Sequence, residues 1–464
     1  MPPIDTDKNT NYGPPLVSQK YSPLLNIQYV AIDQPFYSGL LTYRHTVLNN
    51  LGLVPRPLQL MAQNWPAIIA AEAGHLPPLV VISSNRSQWI RAGINYATAE
   101  LQRLGLPAFT TASDLRALCP QNNQATSPPI YIPTRAGPNR NIYIVVHSLE
   151  YVDYRLALAG TGITVVGWDF ENNAHANGLW LSGFGPSRFA AIQFCKELRA
   201  AAANAAGGVA PWGLAWLFDD NAVAMTNFAG FLAVEATMTP AHACAGFQGG
   251  TKAETTLTNR AYAQNELANG RGQQVNVLPP SAPPGILQQA VLWNIAYLDN
   301  QHLNFGLIYL ESAEDMSIGN YFDRQHTPYL YYAGITVRKE ETFNDPGEAG
   351  RDVNAARHRL STWITDAEAT NPLPPPPPPV NVQPAQQADG GLQPIGDFVV
   401  NRVLPNSGLS QQAGNPVYRS RAKCQAVEQV TCGAISRGFV SANALNTTFR
   451  INGANPQRVQ RLSL

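Results

Sequence analysis

The chain has 464 residues, of which 45% are hydrophobic and only 13% are charged, and its 31 basic residues balance 31 acidic ones. This length allows one large α/β domain with additions, or two to three domains, and the balanced charge excludes a chain-wide attraction to nucleic acid. No stretch approaches the roughly 20 apolar residues that cross a bilayer, and the N-terminus lacks the order of a signal peptide. The five cysteines are odd in number and scattered, which suits reduced thiols. We therefore expect a cytoplasmic or nuclear protein without membrane contact.

The first 75 residues are expected to form an N-terminal arm followed by a helical addition. Residues 1–20 are polar and rich in proline, which is typical of an unanchored arm. Apolar residues recur at helical spacing over 40–51 and again over 58–73, which predicts two helices.

From residue 76 onward, strands alternate with helices. Short apolar runs predict four strands, at 79–82, 142–146, 163–166 and 216–218. Apolar residues at helical spacing predict two helices between them, at 87–104 and 186–198. Pro186 and Ser187 suit the start of the second helix, where the serine hydroxyl could cap the helix. This alternation favours βαβ units and a mostly parallel sheet flanked by helices, which is an α/β fold of the Rossmann type.

Polar side chains follow each of these strands. The clearest case is the fourth, where the run 216–218 stops at Asp219, Asp220 and Asn221. Ligands of open α/β sheets bind outside the carboxyl ends of the strands. Two carboxylates there offer the hard oxygen ligands that suit Mg²⁺ or Mn²⁺ on a diphosphate. A surface turn after a core strand is the alternative, because Asp and Asn are also common turn residues.

A second set of elements follows residue 221. The sequence predicts a glycine-rich loop over 244–252, a helix over 286–298, a strand over 307–310 and a tyrosine-rich strand over 329–337. A further helix is expected to start within 311–317. With the preceding strands these elements would complete one domain over 76–370.

Six consecutive prolines at 374–379 predict an extended polyproline II rod within a linker over 371–391. Such a segment can dock protein partners of the SH3 or WW kind. Residues 392–464 would form a small C-terminal module, whose local excess of arginine could contact a DNA backbone or could simply be a solvated surface.

The order of these motifs resembles that of GT-A nucleotide-sugar glycosyltransferases, and most closely those associated with TET/JBP oxygenases. That family includes enzymes that glycosylate hydroxymethylpyrimidines in DNA. The matching stretches are 80–86, 183–191, 216–221 and 312–315. The resemblance implies a GT-A-like catalytic domain that moves a sugar from a nucleotide sugar, with a UDP-sugar expected, to a hydroxyl acceptor. The acceptor could be a modified pyrimidine in DNA, a protein or a small molecule.

The resemblance also implies a metal site. Asp219, Asp220 and Asn221 would hold Mn²⁺ or Mg²⁺ on the donor diphosphate, and His326 would complete the site, with His358 as its rival. The chain has Asp-Asp-Asn where the family pattern is Asp-any-Asp. This difference leaves open whether Asn221 is a metal ligand or only a hydrogen-bond partner.

Two further groups of residues take their roles from the same resemblance. Asn85, Arg86 and Arg188 would hold the nucleotide, because a guanidinium fork matches phosphate oxygens. Glu314 and Asp315 match the later acidic motif that places a catalytic base, and Asp315 is the favoured base. The ordinary alternatives are solvated arginines and acidic residues that complement a helix dipole. A non-catalytic binding or scaffold protein on the same fold is the competing hypothesis for the whole chain.

Overall fold

The computed structural model describes the following residues: 16–18, 58–103, 129–137, 139–170, 181–226, 228, 230–249, 277–278, 289–307, 309–311, 314–315, 318 and 327–339. Several predictions lie outside these residues, namely the helix over 40–51, His326 and His358, the linker over 371–391 and the module over 392–464.

The described residues contain one mixed sheet of eleven strands. In chain order the strands are β1 (Leu16–Ser18), β2 (Leu58–Met61), β3 (Leu79–Ile82), β4 (Ile142–His147), β5 (Thr164–Phe170), β6 (Leu214–Asp219), β7 (Ala222–Thr226), β8 (Cys244–Gly249), β9 (Val277–Leu278), β10 (Ala290–Asn294) and β11 (Leu330–Lys339). The helices are α1 (Trp65–Ala70), α2 (Ser87–Arg103), α3 (Pro133–Ala136), α4 (Tyr151–Ala157), α5 (Phe184–Ala205), α6 (Phe231–Glu235) and α7 (Ile295–Asn300), with a 3-10 turn at Ser148–Glu150.

The strand order is β1-β2-β5-β4-β3-β6-β10-β8-β11-β7, and β9 pairs with β11. The four central strands β5, β4, β3 and β6 are parallel. On either side of them, β2 and β10 run antiparallel. The prediction of an α/β fold is confirmed, with a parallel centre and antiparallel flanks. The chain passes from β3 to β4 and β5 on one side and then returns to place β6 on the other side of β3. The topological switch point of the sheet therefore lies between β3 and β6.

Both faces of the central sheet are buried. Along β3, Val80 and Ile82 belong to the core that contains α5, whereas Leu79 and Val81 belong to the core that contains Ile90 of α2. Each side chain of β3 is at most 4% exposed. A parallel strand that is covered on both faces reads as a continuous apolar run, and this explains why the sequence predicted β3 with its observed bounds.

The predicted helix over 58–73 is wrong in its first part. Leu58–Met61 forms β2, which pairs antiparallel with β5, and only Trp65–Ala70 is helical. The side chain of Asn64 accepts a hydrogen bond from the backbone N–H of Ala67, so this residue caps the helix. Strand β2 therefore joins part of the predicted N-terminal addition to the central sheet.

The predicted helix over 286–298 and the predicted loop over 244–252 are also wrong among the described residues. Ala290–Asn294 is strand β10, fully buried between β6 and β8, and the helix begins only at Ile295. Cys244–Gly249 is strand β8 rather than a loop. Short, unbroken apolar runs fit a buried strand as well as a buried helix, so periodicity alone could not separate them.

Two smaller predictions also need correction. The described residues of 307–310 are not in a strand; they lie against the start of α5. Helix α5 begins at Phe184 with Gly183 as its N-cap, and the hydroxyl of Ser187 donates to the carbonyl of Gly183 instead of capping a backbone N–H. Within the described part of the chain, no helix combines the length and the apolar character needed to cross a membrane.

Candidate active site

The candidate site lies at the carboxyl ends of β3 and β6, at the switch point of the sheet. Ile82 of β3 pairs with Asp219 of β6, so the polar residues that follow the two strands are brought side by side. This edge is where ligands of open α/β sheets bind. The sequence predicted the site from the same polar strand ends.

Asp220 joins the two strand ends and is almost completely buried, with 2% of its side chain exposed. Its Oδ1 lies 2.5 Å from an Nη of Arg86, and its Oδ2 accepts a hydrogen bond of 2.6 Å from Ser83. The hydroxyl of Tyr131 donates to the backbone carbonyl of Asp220 at 2.6 Å. Tyr154 accepts from the backbone N–H of Arg86 at 2.8 Å. Both carboxylate oxygens of Asp220 are therefore engaged by protein donors, and its burial restricts access by a metal ion.

Asp219 differs from its neighbour because 13% of its side chain is exposed. Its Oδ1 accepts a hydrogen bond of 2.9 Å from an Nη of Arg188, and the Nε of the same arginine donates to Glu314 at 2.9 Å. Burial alone would lower the pKa of Arg188, but the carboxylates of Asp219, Glu314 and Asp315 raise it above its ordinary value. One buried guanidinium thus joins the end of β6 to the acidic pair.

The start of α5 packs against Gly306, Tyr309 and Leu310, in the stretch of chain that precedes the acidic pair. The N–H of Phe184 donates to the carbonyl of Leu310 at 2.8 Å, and that of Gly185 donates to the carbonyl of Tyr309 at 2.7 Å. A Cβ atom at Gly185 would collide with the carbonyl oxygen of Gly306 and would lie 2.5 Å from that of Tyr309. Gly185 therefore permits a close backbone approach that any side chain would block.

The contact with residues 309–310 limits the ability of the start of α5 to bind an anion. The N–H groups of Phe184 and Gly185 already have backbone acceptors, so these two are not available to a phosphate. The structure places Arg188 between carboxylates. Its role in holding the nucleotide stays a prediction.

Glu150 is a site residue that the sequence indicated only as part of a polar strand end. Its carboxylate accepts hydrogen bonds from the hydroxyl of Ser84 at 2.8 Å and from the backbone N–H of Asn85 at 3.2 Å. Asn85 is exposed and has a φ of 56°, which is uncommon outside glycine. Glu150 thereby holds the turn after β3 that carries Asn85 and Arg86.

The site has more negative than positive charge. Five carboxylates and two guanidinium groups lie at the site, and their residues are Glu150, Asp219, Asp220, Glu314 and Asp315 with Arg86 and Arg188. With every carboxylate ionised, three negative charges are in excess. Burial, and next the neighbouring Asp315 carboxylate, raises the pKa of Glu314 to about 8, although Arg188 opposes this shift.

The raised pKa of Glu314 predicts a dependence of stability on pH. The unfolded chain loses this proton near 4.5, whereas the folded protein keeps it up to about 8. Between these values the folded state binds more protons, so this group's contribution to the free energy of unfolding falls as pH rises, by at most about 1.4 kcal/mol per pH unit. We expect the variant Glu314→Gln to lack this decline in denaturant titrations without divalent metal ions. Identical pH profiles of the variant and the parent would contradict this assignment.

The residues at the site fit a metal ion only in one arrangement. Among the described residues, no three His, Cys, Asp or Glu side chains converge in a way that could hold a metal. Mg²⁺ is commonly held by one or two carboxylates together with substrate phosphates rather than by a protein cage. The excess negative charge and the partial exposure of Asp219 suit that arrangement. Asp220 and the buried Asn221 are less accessible, and His326 lies outside the described residues.

No protein-family model matches the chain, and a search of curated proteins finds no match.

Proposed function

We propose that the protein is a metal-dependent glycosyltransferase of the GT-A type, which moves a sugar from a nucleotide sugar to a hydroxyl acceptor. One observation carries the proposal. A partly exposed aspartate at the switch point, Asp219, is joined by a single arginine to Glu314, one residue before the candidate base Asp315. This supports a donor-side carboxylate and an acceptor-side base at one site.

On the donor side, Asp219 would hold the metal together with oxygens of the donor diphosphate. A bound Mn²⁺ or Mg²⁺ would neutralise the negative charge that develops on the departing diphosphate. The excess negative charge of the site would repel a diphosphate that arrives without a cation. The turn after β3, with Asn85 and Arg86, borders the same edge of the sheet and would contact the nucleotide.

On the acceptor side, Asp315 would act as the base. The acceptor oxygen forms a bond to the anomeric carbon of the sugar, the bond from that carbon to the diphosphate oxygen breaks, and the acceptor proton moves to Asp315. Glu314, whose carboxylate is paired with Arg188, would not take this proton. The diphosphate leaves with the electron pair of the broken bond.

The resemblance to the TET/JBP-associated enzymes supports a UDP-sugar as donor and a hydroxymethylated pyrimidine in DNA as acceptor. Such a base would have to leave the duplex stack to reach the site. Protein and small-molecule hydroxyls are the other acceptors that the test must include.

The proposal is tested by donor turnover. The full chain is incubated with Mn²⁺, a panel of nucleotide sugars and the candidate acceptors, and the release of nucleoside diphosphate is measured. We expect release with one donor class and a loss of about a hundredfold or more in Asp219→Asn, because charge stabilisation at the leaving group is lost. Asp153→Asn is the matched control, since Asp153 is an exposed carboxylate on α4. Absence of release with every donor, or equal rates in the two variants, would refute the proposal.

A further inference from the structure

We propose that Arg188 is a positioning residue that fixes the base-bearing residues 314–315 beside Asp219, and that Glu314 is the anchor of this segment rather than the base. This inference rests on the proposed transfer reaction, and it assigns separate roles to two adjacent acidic residues. It also gives Arg188 two carboxylate partners, Asp219 and Glu314, instead of a phosphate.

The hydrogen-bond geometry of Arg188 supports a bridge. A guanidinium commonly donates two parallel bonds to one carboxylate. Here Nε donates to Glu314 and an Nη donates to Asp219, both at 2.9 Å. The two acceptors lie 126 and 31 residues from Arg188 along the chain. One planar group therefore sets the spacing between an end of the sheet and a distant segment.

The surroundings of Arg188 restrict its motion. Its side chain is 5% exposed, and its guanidinium lies over the ring of Phe305, 5.9 Å from the ring centre. Phe305 belongs to the same stretch of chain that packs against the start of α5. Asn304 donates from its side chain to the carbonyl of Phe189 at 3.1 Å, which attaches this stretch one residue after Arg188. The bridge thus operates between segments that are already held in contact.

Glu314 has the contacts of an anchor. Its side chain is 6% exposed, and its Oε1 accepts the Nε–H bond of Arg188. A glutamine at this position keeps an oxygen acceptor of the same shape, whereas an alanine removes the acceptor. An anchor should therefore tolerate glutamine, and a base that must take a proton should not.

The test compares Glu314→Gln, Glu314→Ala and Asp315→Asn in the full chain with Mn²⁺, the active donor and its acceptor. We expect kcat of Glu314→Gln to stay within about threefold of the parent. We expect Glu314→Ala to lose roughly a hundredfold in kcat with little change in the KM for the donor, because a small displacement of a catalytic group has about this effect. Asp315→Asn should lose kcat as strongly. If Glu314→Gln falls as far as Asp315→Asn, or if Glu314→Ala retains the parent kcat, the anchor role is overturned.

A second measurement tests the bridge without turnover. Lysine keeps the charge of Arg188 but offers one ammonium that cannot reproduce the planar fork. We expect the shifts in unfolding midpoint of Arg188→Lys and Glu314→Ala to be non-additive in the double variant, because the two residues share one contact. Additive shifts would contradict the bridge. If the parent turns over no donor, the proposed function fails, while this measurement still decides whether Arg188 holds Glu314.

Discussion

Replacing Arg188 with methionine should lower the free energy of unfolding by about 3–5 kcal/mol, the range seen when one partner of a buried ion pair is removed. Methionine fills much of the volume of the arginine but supplies no charge. Asp219 and Glu314 would lose their shared donor, and Asp315, whose carboxylate helps to raise the pKa of Arg188, would lose a nearby positive charge. Buried carboxylates without compensation are costly, so the loss should be among the largest for a single substitution in this chain.

Arg91→Met is the matched control for this substitution. Arg91 lies on α2 and donates to the backbone carbonyls of Ala157 and Ala159 in a partly exposed position. We expect a loss of about 1 kcal/mol, as for an ordinary hydrogen bond. The measurement is denaturant unfolding at neutral pH without divalent metal. Equal losses of unfolding free energy in the two variants would show that Arg188 does not stabilise the buried carboxylates around it.

The second large effect is expected from Gly185→Ala. The added Cβ would meet the carbonyl oxygens of Gly306 and Tyr309, and backbone atoms cannot rotate away as a flexible side chain can. Overpacking of this kind costs roughly 1–3 kcal/mol or more. The contact between α5 and the stretch before Glu314 should loosen, so both stability and turnover should fall.

Gly213→Ala serves as the control for the added methyl group. At Gly213 the nearest atom to a new Cβ is the Cβ of Ala296, 4.0 Å away, which is an ordinary contact. We expect this variant to unfold within about 0.5 kcal/mol of the parent, or to be slightly more stable, since a Gly→Ala change at a compatible position restricts the unfolded chain. A loss in Gly213→Ala as large as in Gly185→Ala would contradict the steric explanation.

The centre of the fold could be predicted because its strands and helices have clear sequence patterns. The β-branched residues of β3 favour a strand over a helix, and the helical spacing of apolar residues in α2 favours a helix. Strand β10 was predicted as a helix because its five buried residues carry no alternation that would separate the two periods. The pairing of β2 with β5 was missed because Leu58–Met61 was predicted as part of a helix, since its apolar residues also fit helical spacing.

The site was predictable only in outline. The polar residues after β3 and β6 indicated which edge of the sheet carries the site. Asp219 and Asp220 look equivalent in the sequence. The structure distinguishes them, because Asp220 is buried and bonded to Ser83 and Arg86. Arg188 was predicted to hold the nucleotide because a guanidinium fork matches phosphate oxygens, and its pairing with Glu314, 126 residues away, was not anticipated. Long-range pairing of this kind leaves no local pattern in the chain.

The most direct test is calorimetric titration of the full chain with nucleoside diphosphates, UDP first, in the presence and absence of Mn²⁺. The excess negative charge at the site predicts binding with Mn²⁺ and at least about tenfold weaker binding without it, since like charges at close range repel. Asp219→Asn should lose the dependence on Mn²⁺, whereas Asp153→Asn should behave as the parent does. If no nucleoside diphosphate binds with Mn²⁺, or if Asp219→Asn binds it as tightly as the parent, Asp219 does not hold a metal and diphosphate at this strand end.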